Sequence, residues 1–268
     1  MYKYQEKKEI KIMKVKLINK PENIIDLIYT SARTCYNAGS PIDMWNEVEN
    51  ISQDKKLKLI KSVIKSSHTS TLEHINFTWC IEGVSRAVLA QISRHRHISL
   101  SVQSQRYVEI KESIEDIDTL LMHLDAGKET LVSIANKYFV DVNEANYLVY
   151  IRNLLDYLEA IQKGYKPEDA RMFLPNATKT NMVISMNLRE LIHICNLRLC
   201  SRAQLEIRKM VKEMVSTIID KEQWLKEYLQ PRCEQLGYCP ESKGCGRKPP
   251  LKELLENKPT QVHTEGLG

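Results

Sequence analysis

Residues 10–19 alternate lysine with Ile, Met, Val and Leu, the two-residue period of a strand with one face buried. Residues 24–32 then change to helical spacing, and a polar stretch at 37–41 predicts a loop. A second helix is predicted over 57–64. Ser70 and Glu73 have the Ser-x-x-Glu spacing of a capping box, and the alternation over 75–84 predicts a strand after it. Helical spacing returns over 85–96, followed by a strand leaving it over 102–110. Residues 133–163 have good helix composition, and the Thr-, Val- and Ile-rich segment 177–187 predicts a further strand. From Leu188 to Ile218, Leu191, Ile192, Cys195, Leu199, Ala203, Ile207, Met210, Val211, Met214 and Val215 keep one apolar face, which predicts a single long helix.

After Gln230 and Pro231 the periodicity stops and Gly, Pro and Cys accumulate. The expectation is one α+β domain over residues 1–230 and a loop-rich tail over 231–268. With 268 residues, 43% of them hydrophobic, the chain can bury a sizeable core. Its net charge of +5 suits anionic small molecules without requiring nucleic acid. No apolar run reaches the length of a membrane span, and residues 1–14 are rich in Lys and Glu without an apolar signal core, so a cytoplasmic protein without a membrane partner is expected. Seven cysteines, an odd number, fit a reducing compartment better than a disulfide framework.

The nine glycines form neither Gly-x-Gly-x-x-Gly nor a phosphate-binding loop, so any nucleotide must be held by other groups. Arg94-His95-Arg96-His97 is a basic cluster followed by Ser99, Ser101, Gln103, Ser104 and Gln105 and then Arg106-Tyr107, a dense set of anion-binding groups. Gln91 and Arg94 prolong the apolar face of Val84, Ala87 and Val88, where a half-buried guanidinium needs a partner. A phosphate or a polarised carbonyl satisfies it bidentately, and an internal Arg–carboxylate network does so equally well. Arg198 and Arg202 are four residues apart, a like-charge spacing that costs roughly 0.2–0.5 kcal/mol on a helix. Glu206 offsets Arg202 and leaves Arg198 for a ligand; a solvated charged face is the plainer reading of this helix alone.

Other groups carry less. His68 and His74, six residues apart around Glu73, do not share a helix face, so no metal is expected there. Ser104 belongs to no readable Ser-His-Asp order, which leaves it a hydrogen-bonding role. Cys233, Cys239 and Cys245 are evenly spaced by six, with His263 as a distant fourth ligand for zinc, but without a Cys-x-x-Cys pair free or mutually reactive thiols are favoured. A nucleic-acid reading of the 94–107 stripe, with Tyr107 stacking on a base, meets a modest charge, 7% aromatic residues and no recognised module.

Taken together, Arg94-His95-Arg96-x-x-Ser99 and Ser104-x-Arg106-Tyr107 resemble the signature of the flavin-dependent thymidylate synthases. Ser31 through Tyr36, His68 through His74, Gln91, Arg171-x-x-Leu174-Pro175, Asn187-x-Arg189-Glu190-Leu191 and Asn196-Leu197-Arg198 to Ala203-Gln204 agree in order, so the resemblance covers roughly residues 10–225. It implies a central antiparallel sheet flanked by long helices, with active sites at homotetramer interfaces, and reductive methylation of deoxyuridine monophosphate (dUMP) to thymidine monophosphate (dTMP). FAD would be the cofactor, with NADPH and 5,10-methylenetetrahydrofolate as co-substrates. By the same match Arg198 is catalytic, favouring the ionised uracil. Gln91, Arg94, Gln103, Ser104, Gln105, Arg106, Arg171 and Arg198 would hold dUMP. Ser70, Arg94, His95, Arg96, Val102, Asn187, Arg189 and His193 would face the flavin. Ser101-Val102 stands where the family commonly has Asn-Glu, which leaves backbone contacts through Val102 and Gln103. Cys35 stands where the family has Ser, and Arg202 where some members have His.

Overall fold

The computed structural model describes residues 13–110 and 127–256. The chain divides into two compact units, residues 1–188 and 189–268. The first holds a four-stranded antiparallel sheet in the order β1-β2-β4-β3, with β1 Lys14–Asn19, β2 Asn76–Ser85, β3 Ile98–Val102 and β4 Lys179–Asn187. Alternation builds its core: Phe77, Trp79 and Ile81 of β2 are fully buried and stand opposite Met186, Ile184 and Met182 of β4. Leu17 of β1 and Leu100 of β3 extend the row through Trp79 and Ile184. On the other face Thr78 and Ser185 share a hydroxyl hydrogen bond of 2.9 Å, a cross-strand pair of the kind that fixes register.

Helices α1 Ile24–Thr34, α2 Pro41–Asn46 and α3 Gln53–Lys65 follow β1. Buried Lys56 of α3 pairs with Asp26 of α1 at 2.6 Å. In β2, Gly83 has φ 72° where the register with β4 shifts, a left-handed residue at a bulge. That bulge turns the strand into α4, Arg86–Ile92, whose N-cap Ser85 accepts from Val88 N–H at 3.0 Å. Helices α5 Lys128–Tyr138, α6 Tyr147–Gln162 and the single turn α7 Pro167–Ala170 form a second apolar cluster around Leu131, Phe139, Leu154 and Tyr157. Phe139 and Tyr150 stack at 5.0 Å, and Phe139 bridges to Thr178 just before β4.

The second unit carries most of α8 Leu188–Arg198, all of α9 Leu205–Ile219, and the short helices α10 Arg232–Leu236 and α11 Leu251–Glu256. Among the described residues, no helix is long and apolar enough to cross a membrane.

The α+β class and the antiparallel sheet agree with expectation, and several local readings are corrected. The predicted long helix is two helices broken at 199–204, where Leu199 N–H still reaches Cys195 but Ala203 N–H closes a turn on Cys200. The Arg208 guanidinium caps the freed Ser201 carbonyl at 2.7 Å, so the apolar face resumes after the break and mimics one helix in the sequence. Helical composition over 133–163 likewise resolves into α5 and α6. Ser70 is not an N-cap: Thr69–His74 is a 3-10 turn entered at His68 without a side-chain cap. The strand expected over 102–110 lies earlier, at Ile98–Val102, because Ser104 takes the chain into a turn. The expected tail contains two short helices, with Cys239 buried, so residues 232–256 are ordered by local contacts rather than by periodicity. Residues 10–12 of the first predicted strand and His263 lie outside the described residues.

Candidate active site

In the first unit the site begins where β3 ends. Gln103 N–H reaches the Asn181 carbonyl at 2.9 Å, and the Asn181 amide donates to Gln103 Oε1 at 3.0 Å. Asn181 Oδ1 accepts from Gly83 N–H at 3.0 Å, so the Asn181 side chain ties the β2 bulge to the loop after β3. Ser104 Oγ accepts from Arg106 N–H at 3.1 Å and its carbonyl accepts from Val108 N–H at 3.1 Å, a tight turn with Arg106 on its outer side. The Arg106 guanidinium lies 5.3 Å from the Tyr107 ring centroid and forms an ion pair with Glu168 at the start of α7.

Glu168 is also where Arg171 docks, with Nε donating to the Glu168 carbonyl at 3.0 Å. Arg86, the first residue of α4, is near enough to Arg171 to be affected by it: burial first, and then the Arg171 charge, lower the Arg86 pKa from its ordinary value. Arg106 on the Glu168 carboxylate, Arg171 on the Glu168 carbonyl and Arg86 within reach of the Arg171 charge thus form a chain of guanidiniums. A cation at a helix N-terminus opposes the helix dipole, so Arg86 is set in a place that favours an anion beside it.

A cleft of about 310 Å³ is lined by Gln103, Ser104, Gln105, Lys179, Thr180 and Asn181. Burial lowers the pKa of Lys179, whose ammonium donates to the Asn136 carbonyl. Thr180 Oγ1 is buried with no hydrogen-bond partner among the described residues, an orphan hydroxyl in the cleft lining.

The remaining expected residues fall as follows. In the first unit Gln91 is half-buried, its amide 3.4 Å from the Ala87 carbonyl, and Arg94 is exposed, not buried as its place beside the apolar face implied. His95 is buried, whereas Arg96 and Ser70 are exposed and Val102 and Asn187 are half-buried. In the second unit Arg189 and His193 share one exposed face of α8 at four-residue spacing, while Leu191, Ile194 and Cys195 are buried. Arg198 closes that helix, a position that suits a cation, and lines a cleft of about 350 Å³ with Arg202. Because the helix breaks after Arg198, Arg202 pairs with Glu241 at 2.9 Å and with the Lys243 carbonyl at 3.2 Å, rather than with Glu206.

Sequence reasoning missed Arg86, Glu168, Thr180 and Asn181. Only Arg86 left a signal, a cation directly after a Ser N-cap. Asn181 and Glu168 act through strand pairing and turn contacts that periodicity does not record.

A family model described as "Thymidylate synthase complementing protein" matches residues 16–221. The flavin-dependent thymidylate synthase of Nitratidesulfovibrio vulgaris is 35% identical over 242 residues, covering 88% of this chain and 95% of that protein. This chain belongs to the flavin-dependent thymidylate synthase family. The family member of Pyrococcus abyssi is 35% identical over 239 residues, covering 86% of this chain and 90% of its own length. The crystal structure of Thymidylate Synthase X from Helicobacter pylori with FAD and dUMP is similar at a TM-score of 0.65 and 27% identity, over 81% of this chain and 99% of that one. As a member of this family the chain is an enzyme, and its antiparallel sheet with surrounding helices is the family's architecture.

Proposed function

We propose that this chain synthesises dTMP from dUMP by reductive methylation, with methylenetetrahydrofolate as carbon donor and NADPH as the source of hydride. The observation that carries the reading is the linked set of Arg106 and Arg171, both bound to Glu168, and Arg86 near Arg171, beside a cleft lined by Gln103, Ser104 and Gln105. Only Arg106 of these guanidiniums is paired with the Glu168 carboxylate, and a nucleotide phosphate matches the paired N–H groups that arginines present. The relatives named above supply the flavin and the nucleotide: one of them is seen with FAD and dUMP.

In this reading Gln91, Arg94, Gln103, Ser104, Gln105, Arg106, Arg171 and Arg198 hold dUMP. Ser70, Arg94, His95, Arg96, Val102, Asn187, Arg189 and His193 face FAD. The donor chemistry fits: Arg94, Arg96 and Arg189 present exposed guanidiniums suited to a diphosphate, and the chain has no glycine-rich cradle to do so instead. FAD held by these residues would supply the redox chemistry of the reaction. Arg198, the last residue of α8, stabilises negative charge on the uracil ring as carbon 5 becomes nucleophilic. Tyr107 and Met172 are exposed apolar side chains beside Arg106 and Arg171, a surface that a second copy can cover, and we assign the working enzyme as a homotetramer.

The test is the visible spectrum of the protein loaded with FAD, before and after dUMP, followed by dTMP formation with methylenetetrahydrofolate and NADPH. A nucleotide-dependent shift of the flavin bands and dTMP production are expected. Protein that stays colourless after incubation with FAD, and binds oligonucleotides instead, would overturn the reading.

A further inference from the structure

The 350 Å³ cleft of the second unit is lined by four cysteines, Cys200, Cys233, Cys239 and Cys245. The sequence singles out three of them by their six-residue spacing. The fourth, Cys200, stands 33 positions before Cys233 and reaches the cleft only because the helix breaks after Arg198 and the turn at 199–204 carries it there. Four thiols on one cleft are the ligand complement of a tetrahedral structural zinc site, which Cys233, Cys239 and Cys245 alone cannot complete. We propose that Cys200, Cys233, Cys239 and Cys245 bind one zinc ion, cross-linking the turn after α8 to the segment 232–250.

The surroundings favour such a site over unconnected thiols. Backbone contacts place the ligands: Gly237 N–H returns to the Cys233 carbonyl at 3.0 Å with Gly237 at φ 78°, and Cys239 N–H holds the Pro249 carbonyl at 2.8 Å. A Cβ on Gly244 would lie 3.3 Å from Cys239 Sγ, so the glycine lets the chain pass tightly by that sulfur just before Cys245. Zinc bound by four thiolates carries a charge of about −2, and Arg232 and Arg247 line the same cleft, as does Arg202 with its partner Glu241.

A cross-link would add to the local contacts that order this segment, since residues 232–250 contain one five-residue helix, three glycines and three prolines and little other regular structure. No three of the thiols lie within 4.8 Å of one another, so metal entry draws the sulfurs together by rotation about χ1, to about 2.3 Å from the ion. Binding displaces a proton from each thiol and involves no oxidation.

The test uses the full chain purified under reducing conditions without FAD or dUMP, so it is independent of the methylation reading. Elemental analysis is expected to give about one zinc per chain. After chelation, Co2+ alone should give the intense visible and near-ultraviolet bands of tetrahedral thiolate coordination. Cys233→Ser and Cys239→Ser should each remove the metal and lower the melting temperature, whereas Cys80→Ala, in the first unit, should keep it. If the variants do not fold, the Co2+ spectrum of the unaltered chain decides. Zinc-free protein without a Co2+–thiolate band, a disulfide among these four cysteines, or zinc retained in both Ser variants would overturn the proposal.

Discussion

At the scale of single residues, the proposed nucleotide site turns on the arginines near Glu168. Glu168 engages both Arg106 and Arg171, and burial and then the Arg171 charge lower the Arg86 pKa, so in this reading removing any one arginine weakens a shared field. A hydrogen bond to a charged group contributes about 1.5–3 kcal/mol, so Arg86→Ala and Arg171→Ala should each weaken dUMP binding by roughly tenfold or more. Titration of the flavin spectrum with dUMP measures this, and unchanged affinity in Arg86→Ala would remove that residue from the site. Arg198→Ala should abolish dTMP formation while FAD binding and thermal stability remain. An active Arg198→Ala enzyme would refute the role given to its guanidinium.

At the scale of elements, two junctions position these residues. Ser85 is buried and caps α4 directly before Arg86, so Ser85→Ala should lower stability by about 1 kcal/mol in denaturant unfolding and weaken dUMP binding with it. The α1–α3 junction rests on Lys56 and Asp26, with the Lys56 side chain 8% exposed and that of Asp26 22% exposed. Breaking a buried pair leaves one charge unmatched, so Lys56→Ala should cost about 3 kcal/mol, read as a fall in the unfolding midpoint. A substitution without effect would mean that water already solvates Asp26. The break between α8 and α9 is the third such feature: it ends one helix at Arg198 and brings Arg202 onto Glu241 instead of Glu206.

At the scale of the whole molecule, the exposed Tyr107 and Met172 beside Arg106 and Arg171 set the expectation for assembly. Light scattering should give a tetramer at working concentration, and a fully active monomer would overturn it. The sequence determined the parts of this picture that follow from period and residue type. Alternation gave β1, β2 and β4, helical spacing gave α1, α3 and α4, and the ordered Arg, Ser and Tyr motif gave the family, because each is recorded in neighbouring residues. Tertiary structure alone decided the rest. The bulge at Gly83, the Asn181 tether, the meeting of Arg86 with Arg171 and the arrival of Cys200 beside Cys233 and Cys239 join positions tens of residues apart. Strand register and a helix break close those distances, and neither leaves a periodic trace, since an apolar face can resume after a turn with its phase intact.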